Sequence, residues 1–178
     1  MERFIEILSQ GQILGWNILR MIFVTTGTQK FQFDRLIKKI DELVGEKYIN
    51  EKIICQSGFS TYVSQNFKSY SFMNSEKYNG YIKNCDLLIT HAGVGTILEG
   101  KKYNKKILVV PRMEKFGEHV DDHQMQIAEG FYHKQLVYLC QNINNLYSDI
   151  NETRDRTFSN YTFNNEKFVK SLENIIGD

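Results

Sequence analysis

The sequence predicts an α/β domain built on a mainly parallel sheet, and two observations predict it. Short apolar runs of strand length alternate with longer segments whose apolar residues recur at helical spacing. The clearest unit runs from Cys85 to Arg112, CDLLITHAGVGTILEGKKYNKKILVVPR. It reads as a buried strand (Leu87, Leu88, Ile89), a glycine turn from His91 to Thr96 and a helix with Glu99 in its first turn. A second strand, Ile107 to Val110, ends at Pro111-Arg112. Open α/β sheets bind phosphates at such a place, because free N–H groups and the helix dipole both favour an anion.

The remaining elements follow in order. Ile22 to Thr25 is the first strand, closed by the loop Thr26-Gly27-Thr28-Gln29. Phe33, Leu36, Ile37, Ile40, Leu43 and Val44 share one face of a helix. Lys52 to Gln56 is the second strand, closed by Ser57-Gly58, and a short strand is expected near Tyr70–Phe72. Ser75 to Asn84 reads as a helix ahead of the glycine-turn unit. A loop covers Met113 to Val120. Asp121 to Gly130 reads as a helix with Asp121 or Asp122 at its start and Gly130 as its stop. Leu136 to Leu139 is a last strand, and Asn142–Ile150 and Asn164–Ile176 are helices separated by a polar loop, 151–165.

At 178 residues the length suits one domain with its own core. Twenty-two basic against 21 acidic side chains give a net charge of +1, which argues against a nucleic-acid surface. Cys55, Cys85 and Cys140 form no CxxC pair, and their odd number argues against a disulfide framework. Cys55 and Cys85 lie in or beside apolar strands and read as core residues, which fits a reducing cytosol. Residues 1–20, MERFIEILSQGQILGWNILR, are too polar for a spanning helix and lack a cleavage site. Two readings stand for them: an interfacial or partner-binding helix using Phe4, Ile7, Leu8, Leu14 and Ile18, or a misassigned start ahead of Met21. Residues 21–178 are the domain.

In a parallel sheet, loops at the carboxyl ends of the strands line one cleft. Gly27-Thr28-Gln29, Gln56-Ser57-Gly58 and His91 to Thr96 are three such loops, and the segment after Pro111 is a fourth. Small residues let a ligand approach the backbone, and Thr28, Ser57 and Thr96 add hydroxyls. Gly93 and Gly95 taken alone also suit an ordinary turn. Glu99 has two readings, a carboxylate for a ribose diol or a solvated helix residue. His119 and His123 stand four apart, as in helical zinc sites, but Val120 replaces the glutamate of the zinc-protease pattern. No metal is therefore assigned. His123 and Gln124 are placed to hydrogen-bond a sugar or phosphate, and Arg112 is an anion partner or a surface ion pair. No nucleophile elbow or P-loop is present, and Gly100 comes too late for G-x-G-x-x-G, which argues against a nicotinamide dehydrogenase.

FVTTGTQKFQFDRLI, QSG at 56–58, HAGVGTILEG at 91–100, VVPR at 109–112 and GEHVDDHQMQIAE at 117–129 give the chain its likeness to known proteins. Between Met21 and about Leu139 it resembles the C-terminal, donor-binding half of family-28 glycosyltransferases. It is similar to small stand-alone proteins of bacterial capsule and exopolysaccharide clusters. It is similar too to the small subunit of the two-part eukaryotic GlcNAc transferase acting on dolichol-linked GlcNAc. The resemblance implies a single Rossmann-like domain, equivalent to the C-terminal half of a GT-B enzyme, with no cofactor. The implied donor is a UDP-sugar, with a UDP-hexose and galactose first. The implied partner is a membrane-associated subunit that binds a lipid-linked saccharide acceptor and recruits this cytoplasmic chain to the inner face of the membrane. By analogy Glu99 would hold the ribose, and Gly93, Val94, Gly95 and Thr96 the diphosphate. His123 and Gln124 would touch the donor sugar, while Gly27, Thr28, Gln56, Ser57 and Gly58 line the cleft with His91. Direct displacement would invert the anomeric centre, with the base on the partner or, on this chain, His119.

Overall fold

The computed structural model describes residues 20–161. Six parallel strands form one sheet: β1 Met21–Thr25, β2 Lys52–Gln56, β3 Lys68–Tyr70, β4 Leu87–Thr90, β5 Lys106–Val109 and β6 Tyr138–Leu139. Their order is β3-β2-β1-β4-β5-β6. Helices α1 Asp34–Gly45, α2 Ser75–Asn84, α3 Val94–Lys102, α4 His123–His133 and α5 Leu146–Asp155 connect and cover them. β1 is the point where the strand order reverses, so β1 and β4 are neighbours whose following loops diverge. That divergence opens a crevice at their carboxyl ends.

Alternation along the strands builds a core on each face of the sheet. Ile22, Val24, Leu87, Ile89 and Leu108 pack with Leu36, Ile37 and Ile40 of α1 and Leu146 and Ile150 of α5. Phe23, Leu88, Ile107 and Val109 pack with Ile82 of α2, Ile97 of α3 and Ala128 and Phe131 of α4. Strands buried on both faces read as continuous apolar runs, which is why β1, β4 and β5 are plain in the sequence. All three cysteines are free and buried.

Several boundaries differ from the sequence-based expectation. β3 lies two residues earlier than Tyr70–Phe72, in register with Ile54 to Gln56. α4 starts at His123 and runs past Gly130 to His133, because buried Phe131 anchors its last turn in the core. β6 keeps only two residues. Ile143–Asn145 is a 3-10 turn, and α5 continues through the expected loop to Asp155, its Thr153 buried and donating to Asp149 O at 2.6 Å. Glu99 sits in the second turn of α3, since the helix opens at Val94 behind the cap Gly93. The expected helix 164–176 and residues 1–19 lie outside the described residues. Among the described residues no helix is long and apolar enough to cross a membrane.

The segment after β2 returns along α1, held by two acids. Asp34 accepts from Thr61 N at 2.8 Å and Thr61 Oγ1 at 2.7 Å. Buried Asp41 accepts from Asn66 N at 2.9 Å, Gln65 N at 3.0 Å and Tyr62 Oη at 2.8 Å. Burial pushes the Asp41 carboxyl up, but these donors outweigh it and hold the group below the ordinary 3.8. Asp41→Ala is expected to reduce unfolding free energy by about 2 kcal/mol, because it removes several hydrogen bonds to a charged, buried acceptor. A depressed folded-state pKa contributes stability above 3.8 that is lost as pH falls through the lower, folded value. Urea unfolding of both proteins should therefore show the difference at pH 7 and a narrowing gap towards pH 2.

Candidate functional site

The crevice between the β1 and β4 loops is an open cleft of about 450 Å³. Gly27, Thr28, Gln29, Gln56, His91, Gly93, Gly95 and Thr96 line one part of it, and Phe72, Met73, Ser75, Tyr78 and Asn79 the other. The first bond of α3 runs from Ile97 N to Gly93 O at 3.1 Å. The amides of Val94, Gly95 and Thr96 therefore precede the helical ladder and stand at the positive end of its dipole. Tyr78 Oη lies 3.1 Å from Thr96 Oγ1 and donates to Thr25 Oγ1 at 3.4 Å, which ties α2 to both cleft loops. Phe72, Met73 and Tyr78 make an apolar wall beside this polar end.

His91 is the fixed point of the cleft. It is 8 % exposed, and a Cβ added at Gly27 would lie 2.4 Å from its Nε2. One added at Gly93 would lie 2.3 Å from its Cε1. The imidazole therefore rests on two bare Cα atoms, and Gly27 also needs its φ of +80°. Burial first, and then the Arg112 charge, push the His91 pKa down to about 4, against a weaker opposing pull from the Gln124 amide. Its Nδ1 has no hydrogen-bond partner among the described residues. The ring is thus a neutral, buried, partly unsatisfied donor–acceptor group beside three free amides.

The expected site residues divide into two sets. Gly27, Thr28, Gln56, His91, Gly93, Gly95 and Thr96 face the cleft. The others support it from outside. Gln56 Oε1 also accepts from Met73 N at 3.1 Å and so holds the apolar wall. Ser57 Oγ donates to Tyr70 O at 3.3 Å, and Gly58 packs on the Gly27 carbonyl with a φ of +56°. Val94 packs into the core. Gln124 is buried, its Oε1 accepting from Ala92 N at 3.3 Å and Arg112 N at 3.2 Å. That bridge across the β4 and β5 ends engages this oxygen with the main chain. Glu99 is partly buried outside the cleft lining, 3.6 Å from Lys102. His119 Nδ1 lies 2.9 Å from Asp121 Oδ1, which also accepts from His123 N at 3.0 Å. His123 Nδ1 faces Gln126 Oε1 at 3.1 Å.

Arg112 is 0 % exposed, so it is not a surface ion pair, and it does not line the cleft. Its guanidinium donates to the carbonyls of Thr26, Phe31, Gln32 and Glu118, and lies over the Phe33 ring. Sequence reading also misses Arg35 and Glu118. The Arg35 guanidinium donates both to Glu118 Oε1 and to Oε2 at 2.9 Å, and Glu118 Oε2 accepts from Met113 N. Phe72, Met73 and Tyr78 are missed as well. Their only sequence signal is an aromatic cluster just after a short strand, which core packing explains equally.

A parallel sheet of this order, with a cleft at the reversal of its strand order, defines a doubly wound, Rossmann-like α/β domain. The family model "Glycosyltransferase family 28 C-terminal domain" matches residues 21–176, and the chain belongs to that family. It is 29 % identical over 119 residues to the UDP-N-acetylglucosamine transferase subunit ALG13 of Candida albicans, covering 67 % of this chain and 36 % of the relative. The subunit of the same name from Saccharomyces cerevisiae is 26 % identical over 133 residues, covering 72 % of this chain and 64 % of the relative. The chain thus spans about a third to two thirds of these curated relatives. A solution structure of ALG13 shares the fold with a TM-score of 0.58 at 20 % identity, covering 86 % of this chain and 94 % of that one. The crystal structure of the kitacinnamycin glycotransferase does so with a TM-score of 0.61 at 14 % identity, covering 94 % of this chain and 41 % of that one.

The wedged imidazole has a pH signature. The unfolded chain takes up this proton near 6.5 and the folded chain only near 4. Stability is therefore full above pH 6.5 and falls by about 3 kcal/mol as pH drops through that window. The His91 ring resonances should stay those of a neutral imidazole from pH 7 to 5. Gly93→Ala should move them, while Gly80→Ala, which meets nothing within 4 Å, should leave them unchanged.

Proposed function

We propose that this chain is the donor-binding half of an inverting UDP-sugar transferase that works with a separate acceptor-binding subunit. The observation that carries the reading is the cleft itself: the opening turn of α3, whose first three amides stand outside the helical ladder, and the buried His91 share one lining between the β1 and β4 loops. A diphosphate at that place would accept from the amides of Val94, Gly95 and Thr96 and from the Thr96 hydroxyl. The nucleobase would lie on the wall of Phe72 and Met73. The carboxylate of Glu99 is held by one exposed lysine, an interaction worth little, and would turn to the ribose diol.

In the reaction the acceptor oxygen attacks the anomeric carbon from the face opposite the diphosphate. The bond from that carbon to the diphosphate oxygen breaks, and UDP leaves with the electron pair. The α3 amides stabilise the charge developing on the leaving oxygens. The acceptor proton goes to a base, placed on the partner or, on this chain, on His119, whose Nδ1 side is held by Asp121. UDP-N-acetylglucosamine comes first among donors, since the curated relatives carry that sugar in their names. Those names do not support the galactose and capsule expectation. A lipid-linked acceptor and recruitment from the cytoplasm to the inner membrane face through the partner complete the proposal. The word "subunit" in the relatives' names supports the two-chain arrangement. A second reading, a non-catalytic nucleotide-sugar-binding or stabilising subunit, is favoured by one observation: His119 is absent from the cleft lining.

Calorimetry of UDP and a UDP-sugar panel with EDTA present tests the reading. Saturable UDP binding, tightest among the sugars for UDP-N-acetylglucosamine, is expected; no UDP binding by the folded chain would contradict it. Glu99→Gln should weaken UDP by roughly tenfold, the value of one or two hydrogen bonds to a charged acceptor. Transfer by a reconstituted pair should fall with it while the pair stays assembled. Unchanged binding would remove Glu99 from the ribose role.

A further inference from the structure

Behind the cleft lies a charge that the proposed reaction does not otherwise use. Arg112 is fully buried, and every hydrogen bond of its guanidinium goes to a main-chain carbonyl. The nearby acid, Glu118, offers Arg112 only its carbonyl oxygen, at 3.0 Å. Its carboxylate is occupied by the forked contact with Arg35. Both guanidiniums lie over the Phe33 ring, Arg35 at 5.4 Å and Arg112 at 5.1 Å from its centroid. Three further acids near the two loops accept from donors other than Arg112. Asp34 holds Thr61, Asp121 holds His119, and Asp122 Oδ1 accepts from Glu114 N. Within the cluster of Arg35, Arg112 and Glu118 two guanidiniums share one carboxylate, and Arg112 is the one without a hydrogen bond to it.

Its position gives it a target. Arg112 bonds the carbonyl of Thr26, and the next residue, Gly27, lines the cleft against His91. Its own N–H shares Gln124 Oε1 with Ala92 N, one residue past His91. The buried cation therefore backs both loops that would hold a diphosphate. Charges in a poorly solvated interior act at longer range than surface charges and are screened less by salt.

We propose that Arg112 acts on the bound nucleotide without touching it, as a fixed buried charge that selects a diphosphate over an uncharged nucleoside at the α3 amides. Arg35 keeps this charge available by occupying the Glu118 carboxylate. The proposal rests on the UDP-binding reading and assigns that site its source of charge selectivity.

The test compares uridine, UMP and UDP by calorimetry, with EDTA, at low and high salt. Wild type, Arg112→Met, Arg112→Lys and Arg35→Met are measured, each first checked for a cooperative thermal transition. The ratio of UDP to uridine affinity is the readout, because a loss of fold or loop geometry weakens both ligands together. Arg112→Met should reduce that ratio by roughly tenfold or more while uridine affinity is nearly kept. Arg112→Lys, which keeps the charge, should retain most of it. Arg35→Met frees the Glu118 carboxylate to neutralise Arg112 and should reduce the ratio several-fold. In the wild type most of the preference for UDP should survive high salt. If Arg112→Met fails to fold, Arg35→Met and the salt series decide. Equal weakening of both ligands, an unchanged ratio in Arg35→Met, or a preference abolished by salt would overturn the proposal. A folded wild type that binds UDP no better than uridine overturns it as well. Failure to bind any of the three overturns the nucleotide reading beneath it.

Discussion

Everything at the carboxyl edge of this sheet depends on one contact, the His91 ring resting on Gly27 and Gly93. β1 and β4 run side by side, and their loops must part at the reversal of strand order. The imidazole fills the gap where they part. It is large enough to hold the loops at a fixed separation and small enough to leave a cleft in front of them. Neither glycine can gain a methyl group without displacing it. The ring is held without charge, so the positive character of the cleft comes from elsewhere: from the α3 amides in front and from Arg112 behind.

That division of labour explains an otherwise odd pattern of burial. A guanidinium with no exposure usually pairs with a carboxylate, since an isolated buried charge is strongly disfavoured. Here four carbonyls from two loops take the place of water around Arg112, and the acid within reach is engaged by Arg35. Burial lowers the Arg112 pKa to about 10, against the pull of Glu118, which still leaves the group charged at neutral pH. The same bonds tether the segments 26–32 and 112–118 to each other. Electrostatics and loop geometry are therefore one structure, and the glycine turn sits in front of it.

The sheet was readable because its central strands are buried on both faces and bounded by glycine turns. α1 was readable because its apolar residues keep helical spacing. Gly130 misled because a glycine stops a helix only when nothing beyond it is pulled into the core, and Phe131 is. α5 outran its expected end because Ile150 and Thr153 are buried, a tertiary fact that overrides a polar local sequence. In the site, residues on tight loops were legible, since His91, Gly93, Gly95 and Thr96 follow a strand directly. Arg112, Gln124 and Ser57 carry polar groups that suit a ligand, yet their partners are main-chain atoms 6 to 86 residues away. No local pattern marks such pairings. Tyr78 and Phe72 were hidden for the opposite reason, because aromatic residues are the ordinary content of a core.

The most direct test of the account is the map of backbone amide shifts on adding UDP to the labelled chain. The largest changes are expected at Val94, Gly95 and Thr96, with His91 and the Gly27-Thr28 loop moving alongside. A second cavity, lined by Glu51, Asp86, Lys106 and Arg154, opens where the strands begin. Changes centred there, or none at the start of α3, would contradict the placement of the nucleotide at the reversal of the sheet.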